Sequence, residues 1–453
     1  MGAGVSDTPT KPVDTGPDRG PDTGPDTGHA PTHPVQIHNF RAYWLSRLAM
    51  TLAQYAMILI IGWQVYNLAR DAGMSIPEAS GQLALIGLLQ FLPLFALAPF
   101  TGLAADRFDR RSIALLTLVL QLACAGVLTW FTYTEAMSTL VLFAVAVALG
   151  VARGFAGPAF SSLAPNLVPK ALLPTAIAIS TIAWQAGSIL GFALGGNLYA
   201  VAPALPYAVS VGLFALAIIA LSTIGKVPQP PMRKDTRPIG AIVDGLRYVV
   251  RNKMVLGSIT LDLFAVFLAG ANALLPVFAR DILQVGEQGL AQLAMAPGVG
   301  ALLTAAWFSY RPLKSNVGPK MLGAVLVFGF ATIVFALSRS MALSLGMLFI
   351  IGSADMFSVY VRQSLIQLHT PDDKRGRVSS VSMLAISASN EGGDAFSGAL
   401  AFAIGPIAAL IAGGVGAVVT VALWARIFPV LRTTKSFDPP EELLNNQETQ
   451  TSA

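Results

Sequence analysis

The chain has a single cysteine, Cys124, and only 12% of its 453 residues are charged. One cysteine cannot form an intrachain disulfide, so the fold must be stable without one. A soluble globular protein carries about 25% charged residues, so the low charge argues against that class. The sequence contains no Gly-x-x-x-x-Gly-Lys-Ser/Thr loop, metal-ligand cluster or nucleophile constellation. We therefore expect neither an ATP-driven machine nor an enzyme, and neither a cofactor nor a metal.

The two ends of the chain lack apolar residues. Residues 1–40 contain no apolar segment of the kind that a signal peptide requires. Within them, residues 14–28 repeat Asp-(Thr/Arg)-Gly-Pro, a composition that cannot bury a core. We predict a disordered cytoplasmic tail over 1–40 and a second cytoplasmic tail over 431–453.

Between the tails the chain is rich in long apolar runs, and 54% of all residues are hydrophobic. A helix of about 20 apolar residues crosses the roughly 30 Å hydrocarbon layer of a bilayer. Helices satisfy their own backbone hydrogen bonds in lipid, and the alternation of a barrel strand is absent. The sequence predicts an all-α integral membrane protein with twelve transmembrane helices at about 44–68, 82–102, 112–133, 137–160, 174–200, 205–225, 254–279, 289–310, 320–338, 341–364, 377–403 and 407–428.

The lysines and arginines are distributed unequally between the two predicted membrane faces. Most of the 29 lie in the tails and in the loops after even-numbered spans. Arg70, Arg280 and Arg339 lie on the other face, and Arg153 lies within a predicted helix. Because positively charged loops stay in the cytoplasm, this asymmetry places both termini there.

The sequence indicates two related halves. Residues 226–253 read as a cytoplasmic linker with an amphipathic helix, and they separate six-helix bundles at 41–225 and 254–430. Identical residues recur at an offset of 202, including the pairs Gly150 and Gly352, Gly191 and Gly393, and Gly196 and Gly398. Two pseudo-symmetric bundles around a central site are typical of secondary transporters.

The loop between the second and third spans is strongly charged. It reads Gly102-Leu-Ala-Ala-Asp-Arg-Phe-Asp-Arg-Arg111, and we call its residues Gly102, Asp106, Arg107, Arg110 and Arg111 the latch. Glycine permits a tight turn, and the arginines hold the loop in the cytoplasm. Asp106 can pair with them or with a helix N-terminus.

This loop resembles the signature of major facilitator superfamily transporters. It departs from the usual pattern at Ala104 and Asp109, and the second departure is expected in the branch that holds enterobactin exporters and macrolide efflux proteins. The fourth span contains Leu-x-x-x-Arg153-x-x-x-Gly157, which is similar to the arginine motif of that superfamily. The resemblance implies a major facilitator fold, alternating access and a location in the bacterial inner membrane.

The fifth span contains Gly187-x-x-x-Gly191-Phe-Ala-Leu-Gly195-Gly196. This is similar to the antiporter motif of the same superfamily, with Phe192 where proline is usual, and the resemblance links the motif to efflux. Independently of the resemblance, glycines four residues apart form a smooth stripe for close helix packing. For any one of these glycines packing is the favoured interpretation.

Ionisable residues within the predicted spans are the sharpest functional signal. Each costs roughly 2.5–3.5 kcal/mol at mid-helix, so each needs a reason; they are Arg153, Asp262, Asp355, Glu391 and Asp394. No histidine lies in a predicted span, so proton chemistry would fall to carboxylates. The offset of 202 relates Arg153 to Asp355, and we expect Arg153 to tune Asp355 if the repeat brings them together.

Several roles stay open for these acids. Asp262 and Asp355 serve proton coupling, contact with a cationic substrate, or a structural ion pair or interhelical hydrogen bond. Glu391 and Asp394 share a face at i and i+3, and polar contacts with neighbouring helices are favoured for them.

The leading functional hypothesis is proton-coupled efflux of a small amphipathic compound, either a drug or a siderophore-like metabolite. The alternatives are a proton-symport importer and a non-transporting scaffold or receptor of transporter ancestry. The expected partners are a small molecule, protons and membrane lipid, without nucleic acid. We expect a monomer with both termini cytoplasmic.

Overall fold

The computed structural model describes residues 32–225, 238–371 and 374–438. Side chains are described for these residues except 98–99, 102–107, 238–239 and 241–242. Within this part of the chain every regular element is a helix. Residues 1–31, 226–237 and 439–453, which hold most of the predicted tails and the start of the predicted linker, lie outside the described residues.

Long helices dominate the fold because apolar, small-residue runs satisfy the backbone internally and pack closely. The helices are α1 His38–Asp71, α2 Ile76–Arg107, α3 Arg110–Tyr133, α4 Thr139–Leu163, α5 Leu173–Val201, α6 Leu205–Ser222, α7 Pro238–Arg251, α8 Lys253–Leu268, α9 Leu275–Val277, α10 Gly286–Tyr310, α11 Val317–Leu337, α12 Met341–Leu368, α13 Arg375–Ile404, α14 Pro406–Ile427 and α15 Pro429–Thr433.

Eleven segments among the described residues are long and apolar enough to cross a membrane. They confirm the predicted class, an all-helical integral membrane protein. The prediction counted twelve spans, and α13 supplies a twelfth segment of sufficient length, 30 residues. It does not qualify by composition because Glu391, Asp394 and several serines interrupt its apolar residues.

The seventh span is interrupted, in contrast to the single helix predicted over 254–279. Its α8 ends at Leu268, and a 3₁₀ turn, the three residues of α9 and a π-helical turn at Phe278–Ile282 complete the crossing. At the break, Gly270 approaches α13 so closely that a Cβ would lie 3.1 Å from the backbone of Gly393. Close helix contact therefore accompanies the local loss of α-helical hydrogen bonds.

Repeated glycines make the same contact in both halves. In the first half, a Cβ on Gly150 of α4 would lie 2.5 Å from the carbonyl oxygen of Gln90 in α2. In the second half, a Cβ on Gly352 of α12 would overlap the backbone of Pro297 in α10. The fourth span thus packs on the second as the tenth packs on the eighth.

The same correspondence holds one helix later. Gly191 of α5 faces the backbone of Leu52 in α1, and Gly393 of α13 faces the backbone of Phe267 in α8. The fifth span therefore packs on the first as the eleventh packs on the seventh. The predicted pseudo-symmetry thus appears as corresponding glycine contacts in the two halves.

A third glycine pair joins the two halves to each other. Gly196 of α5 faces the backbone of Glu287 in α10, and Gly398 of α13 faces Ala84 in α2. The main contacts between the bundles accordingly run between α5 and α10 and between α2 and α13. Two corresponding contact surfaces between the halves result, α5 with α10 and α2 with α13.

Helix α7 lies against the second half at the end of the bundle where α1 begins and α15 ends, which we call the terminal face. Its Val249 is buried beside Val255 and Ile366, and its Gly245 touches the backbone of Arg377 in α13. The linker therefore contains the amphipathic helix that the sequence predicts, docked on α13.

Candidate functional site

Arg153 forms an ion pair between the two halves of the molecule. It lies near the middle of α4, and its Nη2 is 2.5 Å from Oε1 of Glu391 in α13. Its Nη1 donates to Oε2 of Glu391 at 3.3 Å and to Oε1 of Gln90 in α2 at 3.2 Å. The guanidinium thus binds both carboxylate oxygens of Glu391, which is the favoured geometry for an arginine–carboxylate pair, and it connects α2, α4 and α13.

Asp394 lies one turn from Glu391 on the same face of α13. Its carboxylate accepts a hydrogen bond from the backbone of Ala273, within the interruption of the seventh span. A break in a membrane helix frees backbone groups that need partners, and this side chain provides one. Asp394 therefore connects the interruption of the seventh span to the face of α13 that also carries Glu391.

A second charged cluster lies wholly within the second half. Asp262 of α8 forms an ion pair with Arg362 of α12, and the two side chains are 8% and 3% exposed. Asp355, two turns before Arg362 in α12, interacts electrostatically with both. The described residues offer Asp355 no ion pair or hydrogen bond of its own.

Both clusters have the same charge balance. Arg153 faces two acids, Glu391 and Asp394, and Arg362 faces two acids, Asp262 and Asp355. Removing charges from water is costly, and two acids that share one cation cannot both be compensated. Each cluster therefore contains one acid more than it has cations.

The structure does not join Arg153 to Asp355. The carboxylate partner of Arg153 is Glu391. The polar contact of Glu391 therefore lies between the two halves of the molecule. Asp394 makes the kind of polar contact with a neighbouring segment that the sequence indicates.

Arg362 is the charged residue that the sequence interpretation passed over. The predicted tenth span ended at 364, which placed Arg362 at a membrane face, whereas α12 continues to Leu368. The spacing of seven residues between Asp355 and Arg362 was a usable signal, since residues two turns apart share a helix face.

The described part of the latch binds helix ends. Arg110 donates to the carbonyl of Ser162 at the end of α4, and Arg111 donates to the carbonyls of Leu221 and Ser222 at the end of α6. Cations near helix C-termini stabilise the exposed carbonyls. The tight turn predicted at Gly102 is wrong, because Gly102 lies within the last turns of α2 and the helix ends only at Arg107. The side chains of Asp106 and Arg107 lie outside those the structure describes.

The glycines of α5 line its contact with α1. A Cβ on Gly187 would lie 2.8 Å from Thr51, and a Cβ on Gly195 would lie 2.9 Å from the carbonyl oxygen of Ala56. Phe192, in the place of the usual proline, packs edge-on against Tyr55 with ring centroids 5.1 Å apart. Close packing therefore explains this stripe, while Gly196 turns toward the other half.

Two crossed Arg-Asp pairs connect the halves at the end opposite the terminal face. Asp281 of the π turn binds Arg70 of α1 at 3.0 Å and accepts a 2.5 Å hydrogen bond from Tyr66. In return, Arg280 binds Asp71 at 2.6 Å, and it also donates to Asn67. We call Arg70, Asp71, Arg280 and Asp281 the opposite-face clamp, which ties the first span of each half together.

Comparison with known proteins places this geometry among transporters. The family model for "transmembrane secretion effector" matches residues 29–451. The enterobactin exporter EntS of Escherichia coli O1:K1 is 23% identical over 419 residues, covering 90% of this chain and 95% of the exporter. The EntS protein of Escherichia fergusonii is 23% identical over 417 residues with the same coverage.

Solved structures share the fold at low identity. A bacterial homologue of the human lysosomal transporter Spinster, in an inward-facing unoccupied conformation, gives a TM-score of 0.65 at 16% identity, covering 88% of this chain and 99% of that one. A D-xylose–proton symporter gives a TM-score of 0.66 at 14% identity, covering 86% and 98%.

Proposed function

The chain belongs to the transmembrane secretion effector family of the major facilitator superfamily, and we propose that it exports a small amphipathic compound in exchange for protons. A multi-pass membrane transporter of this family binds a small molecule. We further propose that the transporter lies in the bacterial inner membrane and that protons are the coupling ion. The observation that supports the coupling is the buried pair of Asp262 with Arg362. Beside it lies Asp355, which has no ion pair among the described residues.

Export is supported by the similarity to enterobactin exporters over nearly the whole chain. The antiporter-like glycines of α5 agree with this direction, although their contacts are accounted for by packing. A siderophore-like or drug-like amphipathic molecule is the substrate class that we favour.

Proton exchange follows from the charge balance of the second cluster. When Asp355 is ionised, the cluster carries one uncompensated negative charge in the interior, and protonation removes it. Water access from one face and then the other would let this acid take up a proton on the outside and release it on the inside. A potential of ~150 mV supplies ~3.4 kcal/mol per proton, enough for a roughly 300-fold gradient of a neutral substrate.

The pair of Arg153 with Glu391 would couple the proton step to movement of the halves. It crosses from α4 to α13, so rocking of one bundle against the other must stretch or exchange it. A substrate that competes for Arg153 or Glu391 would favour the arrangement in which the pair is open. Binding energy would then shift the population of conformations, as alternating access requires.

The test is pH-dependent flux in proteoliposomes. Asp355→Asn should abolish proton-driven accumulation while leaving substrate binding and downhill exchange measurable, because an amide keeps the shape but cannot exchange a proton. Glu135→Gln, which removes an acid from an exposed loop, is the matched control and should behave like the wild type.

Asp262 needs a different variant. Asp262→Asn alone leaves Arg362 buried without its partner, and breaking such a pair costs about 3–5 kcal/mol. The double variant Asp262→Asn/Arg362→Gln removes both charges and separates folding from coupling. Full proton-driven accumulation in the Asp262→Asn/Arg362→Gln/Asp355→Asn protein would refute the assignment and direct attention to Glu391 and Asp394. Accumulation in the direction of proton entry would instead establish a symporter.

A further inference from the structure

A basic cleft lies on the terminal face, between α7 and the start of α13. It has a volume of about 590 Å³, and nine residues line it, of which five are cations: Arg247, Arg251, Lys253, Lys374 and Arg377. Among the described residues, Asp244 is the one acid in its lining. It is shared between Arg377 at 3.4 Å and Arg247 at 4.0 Å. The cleft therefore carries a strong excess of positive charge.

Hydrogen bonds and a cation–π contact hold the residues around the cleft in place. Tyr248 donates its hydroxyl to the carbonyl of His369 at 2.9 Å, and the ammonium of Lys374 lies 5.1 Å from the centre of its ring. Asn252 caps α8 by accepting from the backbone of Met254 and Val255, which fixes the turn between α7 and α8. The backbone thus holds Arg251 and Lys253 at the mouth of the cleft.

Arg251 and Lys253 have no carboxylate partner among the residues whose side chains are described. Both side chains are exposed, although the neighbouring Val249 and Val255 are buried. Guanidinium and ammonium groups that outnumber the nearby acids are suited to phosphate oxygens. A ligand with a phosphate group would complete the charge balance of the cleft.

The neighbouring surface indicates where that phosphate comes from. Val243, Leu246 and Val250 are 46%, 50% and 56% exposed, and their spacing puts them on one face of α7. Arg247 and Arg251 follow beside that apolar stripe. An apolar stripe flanked by arginines is the pattern of a helix at the boundary of headgroups and acyl chains. Lys253 is the first residue of the seventh span, so the cleft lies at the end of that span.

We infer that this cleft binds the headgroup of an anionic phospholipid, with the phosphate held by Arg247, Arg251 and Lys253 and the acyl chains lying along Val243, Leu246 and Val250. A bound lipid would fix α7, and through Gly245 and Arg377 it would brace the start of α13. Because α13 also carries Glu391, the lipid would influence the helix that joins the two halves. This site is independent of the transported substrate.

The experiment is lipid retention by the full-length protein reconstituted in vesicles with equal parts of phosphatidylglycerol and phosphatidylcholine. After extraction, mass spectrometry gives the ratio of the two lipids that stay bound. Each basic residue near an anionic surface contributes about a five-fold attraction. We therefore expect Arg247→Gln/Arg251→Gln/Lys253→Gln to lower the phosphatidylglycerol ratio by at least about ten-fold.

The matched control is Lys314→Gln/Lys320→Gln/Arg426→Gln, which removes three exposed cations outside the cleft. It should retain the wild-type ratio, and thermal unfolding of both proteins verifies their folding. A wild-type ratio in the triple variant of the cleft would overturn the proposal.

Two further arms separate a lipid from a soluble phosphate. Val243→Ser/Leu246→Ser/Val250→Ser keeps every charge and should also lose the preference for phosphatidylglycerol. Glycerol 1-phosphate in excess should not displace the retained lipid. Displacement by this soluble ester, or full retention in the serine variant, would overturn the assignment to a membrane lipid.

Discussion

Asp281→Asn should open the face of the bundle that the opposite-face clamp closes. The substitution keeps the size of the side chain and an acceptor for Tyr66, but it removes the negative charge that Arg70 binds. Hydrogen bonds to charged groups contribute about 1.5–3 kcal/mol, against roughly 1 kcal/mol for neutral ones. The two ionic side chains are 25% and 15% exposed, so solvent weakens the pair. Three hydrogen bonds reach the Asp281 carboxylate, and a loss of about 0.5 kcal/mol from each gives a net loss of about 1.5 kcal/mol, roughly a ten-fold shift toward the open arrangement.

The assay is the distance distribution between two spin labels on that face. Ala136→Cys and Arg339→Cys place one label in each half, in exposed loops, and Cys124→Ser removes the native thiol. The population at long distance should rise by about ten-fold in Asp281→Asn. Glu78→Gln is the matched control, because Glu78 is exposed on the same face and its carboxylate accepts hydrogen bonds only from Ser75, directly before its own helix, among the described residues.

A double-mutant cycle gives the decisive result. If Arg70 acts through Asp281, then Arg70→Gln/Asp281→Asn should shift the distances no further than the larger single change. Additive shifts, or an unchanged distribution in Asp281→Asn, would show that the clamp does not hold the two halves together.

Four further outcomes are expected. A tag at Ser75 should be accessible only from outside and a tag at either terminus only from the cytoplasm, and the reverse pattern would overturn the proposed orientation. Asp106→Asn should lower transport at least about ten-fold at normal membrane abundance, as the latch motif implies, and wild-type turnover would remove that role. Gly191→Leu should destabilise the protein by about 1–3 kcal/mol, because its Cβ would lie 2.7 Å from a backbone oxygen, whereas Gly212→Leu, with open space around it, should not; thermal unfolding compares them. Burial lowers the pKa of His369, so the unfolded chain binds more protons, and the unfolding temperature should fall as the pH drops below about 6.5; His369→Gln should flatten that dependence.

The fold was largely predictable because the bilayer imposes a simple rule on apolar length. Eleven of the predicted spans are confirmed in this way, but α13 shows the limit of the rule. The prediction included it at 377–403, but Glu391, Asp394 and its serines leave it less apolar than the other spans. The break after Leu268 was not predictable, because nothing in local hydropathy separates a broken membrane helix from a continuous one.

The site was predictable as a set of residues and not as a set of contacts. A charge inside a span stands out in the sequence, so Asp262 and Glu391 were found. The partners depend on how helices rotate and cross, and the offset of 202 pointed Arg153 toward Asp355 when its carboxylate partner is Glu391. Arg362 was missed because its distance from the membrane face depends on where α12 ends, and sequence boundaries are uncertain by several residues.

The polarity of α13 has a consequence for how the protein is made. On insertion scales each mid-helix charge costs roughly 2.5–3.5 kcal/mol, so α13 inserts unfavourably into the membrane on its own. Arg153 precedes Glu391 by 238 residues in the chain, and Gln90, its other hydrogen-bond partner, precedes both. We expect α13 to enter lipid only once the completed first half presents Arg153 to it. The ion pair that joins the finished halves would thereby also set the order in which they are assembled.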